Sequence, residues 1–94
     1  MRIRVRFFTI LRELIGKREE EALVQDGASV KEVLDLLSER YGKEFSDYLF
    51  EGKKLREHIQ ILLNGTNIMT LEGVETRLKD DSTLAVIPPM EGGI

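Results

Sequence analysis

The residues best suited to chemistry lie at the end of the chain, where "AVIPPMEGGI" closes the printed sequence. Pro88-Pro89 stop an apolar run, and Gly92-Gly93 follow shortly after. Because glycine has no Cβ, a Gly-Gly segment can pass through a channel that would reject other residues. Residues 90–93 span at most about 13–14 Å when extended, which is enough to reach a buried pocket in a partner. Ile94 is stiff and β-branched, so it does not suit this use.

The other reactive side chains form no recognisable catalytic or metal site. The chain has no cysteine, which excludes a disulfide, a zinc–thiolate site and a cysteine nucleophile. His58 is interpreted as a loop residue, because no serine or carboxylate completes a triad motif with it. Glu19–Glu21 and Asp80-Asp81 lack calcium-loop or zinc spacing and are interpreted as solvated. We therefore expect no bound cofactor, no metal site and no catalytic side chain.

Composition and charge favour a soluble globular domain. The 94 residues carry a net charge of −3, so no global field favours nucleic acid or an anionic membrane, and a basic partner surface suits the chain better. Arg2, Arg4 and Arg6 lack the aromatic platforms of a nucleic-acid site, and they are interpreted as solvated or paired with an acidic partner. No apolar run approaches the roughly 18–20 residues that span a bilayer, and no signal-peptide pattern is present, so the expected location is the cytoplasm.

Two strands and a short helical segment are predicted in the first part of the chain. Residues Arg2–Phe8 alternate, with Ile3, Val5 and Phe7 on one face, as in a half-buried strand. The stretch "ILRELIG" predicts a short helical turn closed by its glycine. Residues Glu19–Val24 predict a second strand, whose acidic start is typical of a sheet edge.

The main helix is predicted between residues 29 and 42. Ser29 and Glu32 have the spacing of a capping box. Gly42 stands where a helix-terminating glycine belongs. The apolar side chains between them recur at helical spacing and predict one buried face: Val30, Val33, Leu34, Leu37 and Tyr41.

The second half of the chain predicts further strands. Residues 43–58 are polar and mixed, and are predicted to form a loop with a turn of helix. "IQILLNG" predicts a strand that ends in the hairpin signal Asn64-Gly65, and "TNIMT" can pair back with it. "GVETRLKDDS" predicts a turn anchored by Leu78. Thr83–Ile87 is the last predicted strand, because Pro88-Pro89 cannot continue a ladder.

This order of elements predicts an α+β fold, with one main helix packed across a mixed sheet. The last strand can lie parallel beside the first, in the middle of the sheet, through a right-handed crossover. That is the β-grasp, or ubiquitin-like, arrangement. We expect a single domain over residues 1–94, with residues 88–94 as a flexible C-terminal tail.

The same alternation predicts an apolar patch on the open face of the sheet. If Val5 and Phe7 face the helix, Phe8 faces away from it, and Ile87 and Leu62 do so by the same argument. Exposed apolar patches are often binding sites. The alternative is that residues 43–58 cover this patch as a second small core.

Three stretches resemble one known family in order along the whole chain: "FFTILRELIG", "LLNG" and "LAVIPPMEGG". They resemble the small subunit of molybdopterin synthase, which with its thiamine-pathway relative belongs to the ubiquitin-like sulfur carriers. The most specific part is Pro88-Pro89 closing a strand shortly before Gly92-Gly93.

The resemblance implies that Gly93 is the reacting residue, with Gly92 as its slim approach. An ATP-dependent adenylyltransferase related to the ubiquitin-activating enzyme would adenylate the carboxylate, which is then converted to a thiocarboxylate. The tail would enter the large subunit of molybdopterin synthase and give its sulfur to a pterin precursor, for a molybdenum or tungsten cofactor. Positions matching Phe8 and Ile87 contact the large subunit in the family. The full set of partner-binding residues expected here is Phe8, Leu62, Ile87, Pro88, Pro89 and Met90.

Ile94 departs from the family pattern, which ends on the second glycine. We expect a protease to remove it, as for carriers that are made with extra residues. Two alternatives remain open. In one, the mature glycine joins lysines of other proteins, as in a ubiquitin-like modifier; in the other, the chain keeps Ile94 and is a binding module without carrier function.

Overall fold

The computed structural model describes residues 1–89. Two strands and a helix open the chain: β1 (Arg2–Phe7), α1 (Thr9–Ile15) and β2 (Glu19–Leu23). Two helices and a small hairpin follow: α2 (Val30–Tyr41), α3 (Lys43–Leu49), β3 (Phe50–Glu51) and β4 (Lys54–Leu55). The last strands are β5 (Gln60–Leu63), β6 (Thr66–Asn67) and β7 (Thr83–Ile87), with short 3₁₀ turns at Ile68–Thr70 and Gly73–Glu75.

The five-stranded sheet has the order β2-β1-β7-β5-β6. The first and last strands along the chain, β1 and β7, lie side by side inside the sheet and pair in parallel. Val5 lies opposite Leu84, and Phe7 lies opposite Val86. The other neighbours are antiparallel. The expected parallel pairing of the last strand with the first, inside the sheet, is therefore confirmed, and the fold is a β-grasp.

The helix α2 forms as its sequence predicts. Ser29 is its N-cap: the Ser29 hydroxyl accepts from the Glu32 N–H at 3.3 Å, and the Glu32 carboxylate accepts from the Ser29 N–H. Gly42 ends the helix with φ +94°, and its N–H donates to the Ser38 carbonyl at 2.8 Å. Four side chains of the predicted apolar face, Val30, Val33, Leu34 and Leu37, are fully buried in the core, whereas Tyr41 is half-buried.

The core lies between the sheet and the helices. Strand β1 alternates strictly between exposed and buried residues, so that Ile3, Val5 and Phe7 face inward. Phe7 meets Tyr41 and Phe45 edge to face, with ring centroids 6.4 Å and 6.2 Å away. Such edge-to-face pairs add to the stabilisation that burial provides.

The region 43–58 differs from the prediction of a loop with a turn of helix. Its first part is the two-turn helix α3, whose Phe45 and Leu49 are buried, and its second part contains the β3–β4 hairpin. A seven-residue helix is unstable alone, so tertiary packing stabilises it. Phe45 packs on Phe7, on the same face of the sheet as α2.

The hairpin between β5 and β6 follows its sequence signal. Asn64 and Gly65 both have positive φ, 49° and 89°, as a type I′ turn requires. The predicted return strand is shorter than "TNIMT", because only Thr66–Asn67 pair before a 3₁₀ turn begins. Leu78 is buried, as predicted.

The acidic runs are not merely solvated, which corrects that interpretation. The Tyr41 hydroxyl donates to a Glu20 carboxylate oxygen, which also lies 3.0 Å from Arg40 Nη1. The hydrogen bond from Tyr41 is the main cause that lowers the pKa of Glu20 to about 2. Asp80 accepts the Arg2 N–H at 2.7 Å, which lowers the Asp80 pKa. These contacts attach β2 to α2 and the last turn to the start of β1.

Candidate functional site

The chain leaves the sheet at the end where β1 and β7 finish and β5 begins. Because β1 and β7 are parallel, their carboxyl ends lie side by side at this end of the sheet. The antiparallel strand β5 begins at the same end, where Gln60 lies opposite Ile87. Pro88 is buried and Pro89 is exposed where β7 ends. The remaining predicted site residues, Met90, Gly92, Gly93 and Ile94, lie outside the described residues.

The open face of the sheet carries the predicted apolar side chains. In β7, Leu84 and Val86 are fully buried while Ala85 and Ile87 are only half-buried, so the predicted alternation is confirmed. Leu62 is also half-buried and lies directly opposite Ala85. The structure therefore places Leu62 and Ile87 on the same face, diagonally related across β5 and β7.

Phe8 lies at the end of β1, where it is the N-cap residue of α1 with an extended backbone. The Phe7–Val86 pairing makes Ile87 its neighbour in register. The Arg6 and Arg12 guanidinium carbons lie 5.4 Å and 5.8 Å from the centre of the Phe8 ring. Contacts of this kind are favourable, so Phe8 is held at the site while its side chain stays half-buried.

The alternative in which residues 43–58 cover the patch does not match the packing. The helix α3 sits on the opposite face of the sheet, where Phe45 contacts Phe7. Phe8, Leu62 and Ile87 consequently retain partial exposure. We refer to these three side chains as the open-face patch.

A pocket beside Pro89 was not expected from the sequence. It has a volume of about 270 Å³ and is lined by Asp47, Tyr48, Arg56, His58, Ile59 and Pro89. His58 is a turn residue, as interpreted, but the turn places it next to the point where the chain leaves the sheet. The spacing of Phe45, Tyr48 and Leu49 was the one sequence signal for the helix that builds this pocket.

The arginines of β1 are mostly neutralised within the chain. Arg2 Nε lies 3.2 Å from a Glu21 carboxylate oxygen, and Arg4 Nε lies 3.5 Å from one of Glu19. Within residues 1–89, Arg6 has no such carboxylate partner and instead lies over Phe8. Positive charge at the open face is therefore concentrated next to the patch.

The described part of the chain contains neither a metal-binding cluster nor a membrane-spanning helix. Among residues 1–89, no group of three or more His, Cys, Asp or Glu side chains is arranged to hold a metal ion. In the same range, no helix has the length and apolar character to cross a membrane. The candidate site consists of the open-face patch and the pocket beside Pro89.

Comparison with known proteins gives a consistent set of relatives. The sequence model of the ThiS family matches residues 5–93. Small archaeal modifier protein 3 of Haloferax volcanii is 33% identical over 93 residues, which are 99% of this chain and 100% of that protein. A candidate sulfur carrier protein of Archaeoglobus fulgidus is 31% identical over 65 residues, 69% of this chain and 74% of that protein. The solution structure of small archaeal modifier protein 1 from Methanosarcina acetivorans has a TM-score of 0.83 and 36% identity, covering 98% of this chain and 96% of that one.

Proposed function

This chain belongs to the ThiS family of ubiquitin-like sulfur carriers and modifiers, and we propose that it is a sulfur carrier for molybdopterin synthesis. Its reacting group would be the Gly93 carboxyl, after a protease has removed Ile94. The observation that carries the sulfur-carrier part of the proposal is the family match over residues 5–93, which includes Gly92 and Gly93. The molybdopterin part rests on the resemblance of "LAVIPPMEGG" to the small subunit of molybdopterin synthase.

The chemistry of such a carrier lies with its partners. A carboxylate is a poor electrophile, so an adenylyltransferase would join the Gly93 carboxylate to the AMP part of ATP and release pyrophosphate. Sulfide from a sulfur donor would then attack the acyl carbon, displace AMP and leave a thiocarboxylate. The large subunit of molybdopterin synthase would receive the tail and pass the sulfur to a pterin precursor. This chain supplies the carboxyl group and the surface that both partners recognise.

The open-face patch is the proposed docking surface for these partners. Phe8, Leu62 and Ile87 are half-buried apolar side chains beside the end of β7. Pro88, Pro89 and Met90 complete the proposed contact set and connect the patch to the reacting end. A few central apolar residues commonly dominate the energy of such interfaces.

The first test is the intact mass of the protein recovered from its own cells. We expect a form that lacks the mass of one isoleucine residue, with a fraction in which one oxygen is replaced by sulfur. Ile94 retained in every molecule, with the activating enzyme and ATP also present, would contradict the carrier proposal. It would leave the binding-module alternative.

An in vitro assay tests the same proposal without the protease. The adenylyltransferase from the same cells is incubated with ATP, radiolabelled pyrophosphate and one of three forms of the chain. Residues 1–93 should support pyrophosphate exchange, whereas residues 1–94 and residues 1–92 should not. Equal exchange with residues 1–92 would show that Gly93 is not the activated residue.

The modifier alternative is favoured by one observation, the 33% identity to a protein whose name describes a modifier. In that case Gly93 would be joined to lysines of other proteins. Glu91 precedes Gly92-Gly93, so a protease that cleaves after glutamate would leave Gly-Gly on each modified lysine. Detection of such lysines in cells, absent when Gly93 is deleted, would establish conjugation.

A further inference from the structure

The outer edge of β2 offers backbone groups that the sheet does not use. Met1 and Val24 exchange two backbone hydrogen bonds across the β1–β2 pair. Antiparallel pairs alternate, so the N–H and C=O of Leu23 and Glu21 point away from β1. The Glu21 carbonyl accepts from Arg40 Nη1 at 3.3 Å, whereas the Leu23 groups have no backbone partner among the described residues.

Leu23 is also unusual in its exposure. Its side chain lies on an edge strand with 69% of the residue surface accessible. An exposed strand edge with an apolar side chain can pair with another chain unless something blocks it. The edge around Leu23 is therefore a surface that can accept an added strand.

A groove runs from this edge to α2. It has a volume of about 390 Å³, and Leu23, Val24 and Leu36 form its apolar part. Three carboxylate residues, Glu32, Asp35 and Glu39, lie along the α2 side, and no lysine or arginine lines the groove. Lys31 neutralises Asp35 at 2.8 Å and Glu32 caps the helix, but Glu39 has no ion pair among the described residues.

The charge pattern distinguishes between two possible occupants. A second copy paired through the same edge would turn its own acidic α2 side, with Glu39, toward that of the first copy, and opposed like charges are destabilising. A segment with lysine or arginine instead meets carboxylates of opposite sign. Charge complementarity thus favours a basic partner segment.

We propose that the β2 edge at Leu23, together with the groove against α2, binds an extended basic segment of a partner protein by strand addition. The Leu23 N–H and C=O would pair with the backbone of that segment. The side chains on the one face of that segment that meets α2 would be apolar where they contact Val24 and Leu36 and basic where they contact Glu39.

This surface lies at the opposite end of the sheet from the emerging chain end. Leu23 pairs with Arg2 at the start of β1, whereas the open-face patch adjoins the end of β1. A bound segment would therefore leave Pro88 and the residues beyond it accessible. The inference goes beyond the proposed function, and its test does not depend on that function.

The test is a titration of the isotope-labelled full chain with two synthetic peptides of about eight residues. In both peptides every second residue is threonine, and the residues between, which share one face, are in turn valine and a charged residue, lysine in one peptide and glutamate in the other. The basic peptide should protect the Leu23 amide from hydrogen exchange and shift the Leu36 and Glu39 amide signals. The acidic peptide should do neither.

Two variants connect the binding to the proposed surface. Leu23→Pro removes an outward N–H without removing a β1–β2 hydrogen bond, so protein folding is retained while binding is lost. Glu39→Lys should weaken binding about fivefold relative to Glu57→Lys, an equal charge change at another exposed carboxylate. The amide spectrum of each variant is compared with that of the wild-type chain, and a near-native spectrum shows that the fold is retained.

The inference is overturned by any of three results. In the first, Leu23 stays unprotected at peptide saturation. In the second, Glu39→Lys and Glu57→Lys weaken binding equally, which indicates diffuse attraction to an acidic protein. In the third, Leu23 becomes protected with rising protein concentration alone, which would assign the edge to a second copy of the chain.

Discussion

The contact between Tyr41 and Glu20 allows a quantitative prediction about stability. In Tyr41→Phe the ring remains, so its packing on Phe7 and Phe45 is kept and only the hydroxyl is lost. The Glu20 side chain is only 16% exposed, and its remaining partners would be Arg40 and Lys17. The substitution therefore isolates one hydrogen bond to a carboxylate that is largely shielded from water.

The expected size follows from the pKa of Glu20. A decrease from 4.5 to about 2 corresponds to roughly 3 kcal/mol of stabilisation from all partners together. Tyr41 is the largest cause of this shift. A hydrogen bond to a charged group contributes about 1.5–3 kcal/mol. Since Arg40 remains, we expect Tyr41→Phe to lower the free energy of unfolding by about 1.5–2 kcal/mol at neutral pH.

The pH dependence gives the sharper test. The folded pKa of Glu20 is lower than its value in the unfolded chain, so this stabilisation is complete above about pH 5 and is lost as the pH falls toward 2. Burial, and then the hydrogen bond to Glu20, raises the pKa of Tyr41 from 10.0 to about 12. The contribution of the neutral Tyr41 hydroxyl to folding stability is therefore complete below pH 10 and is lost as the pH rises through 12. The difference between wild type and variant should be largest between these limits.

Urea unfolding of both proteins at several pH values measures this difference directly. Glu20→Gln and the double variant complete a mutant cycle, and we expect a coupling energy of about 1 kcal/mol or more at pH 7 that is much smaller near pH 2, where the folded carboxylate becomes protonated. A loss of stability in Tyr41→Phe that is equal at pH 7 and near pH 2 would refute the reasoning. It would show that the hydroxyl does not act through the Glu20 charge.

Two further predictions concern the patch and a helix junction. Ile87→Asp should weaken binding to the proposed partner, the large subunit of molybdopterin synthase, at least about tenfold, as loss of a central interface residue does. Leu71→Asp, on another exposed surface, should not weaken it. Equal titration curves for the two variants would show that Ile87 is not in the interface. Gly42→Ala should lower the free energy of unfolding by about 1–3 kcal/mol, because φ +94° with ψ −172° is a region that only glycine adopts readily. Gly16→Ala, in the milder left-handed helical region, should cost less, and the reverse order in urea unfolding would contradict this explanation.

Much of the fold could be predicted because its signals are local. The alternation in β1 requires only that one face be buried, and the Ser29–Glu32 capping box and the Asn64-Gly65 turn each depend on a few neighbouring residues. The parallel pairing of β1 with β7 was predicted from the order of elements and from the fact that Pro88 ends the last strand. The alternation, the capping box and the turn are specified close to where they form, whereas the β1–β7 pairing follows from the order of the elements.

The region 43–58 could not be predicted in the same way. The helix α3 has seven residues, and its apolar positions Phe45, Tyr48 and Leu49 are too few to define a periodic pattern. Phe45 is stabilised by Phe7, which is distant in sequence. The pocket beside Pro89 depends on this helix, so that short and weak apolar pattern was not enough to predict the pocket.

The strand register explains why binding and stability can be changed separately in this fold. In β7 the residues that face the core, Leu84 and Val86, alternate with Ala85 and Ile87 on the open face. A shift of one residue would exchange the two sets and bury Ile87 at the expense of Val86. Because the buried set opposes such a shift, substitutions at Ile87 change the open face while the core keeps the register in place. A polar residue at Ile87 should therefore affect partner binding more than folding, whereas the same residue at Val86 should unfold the chain.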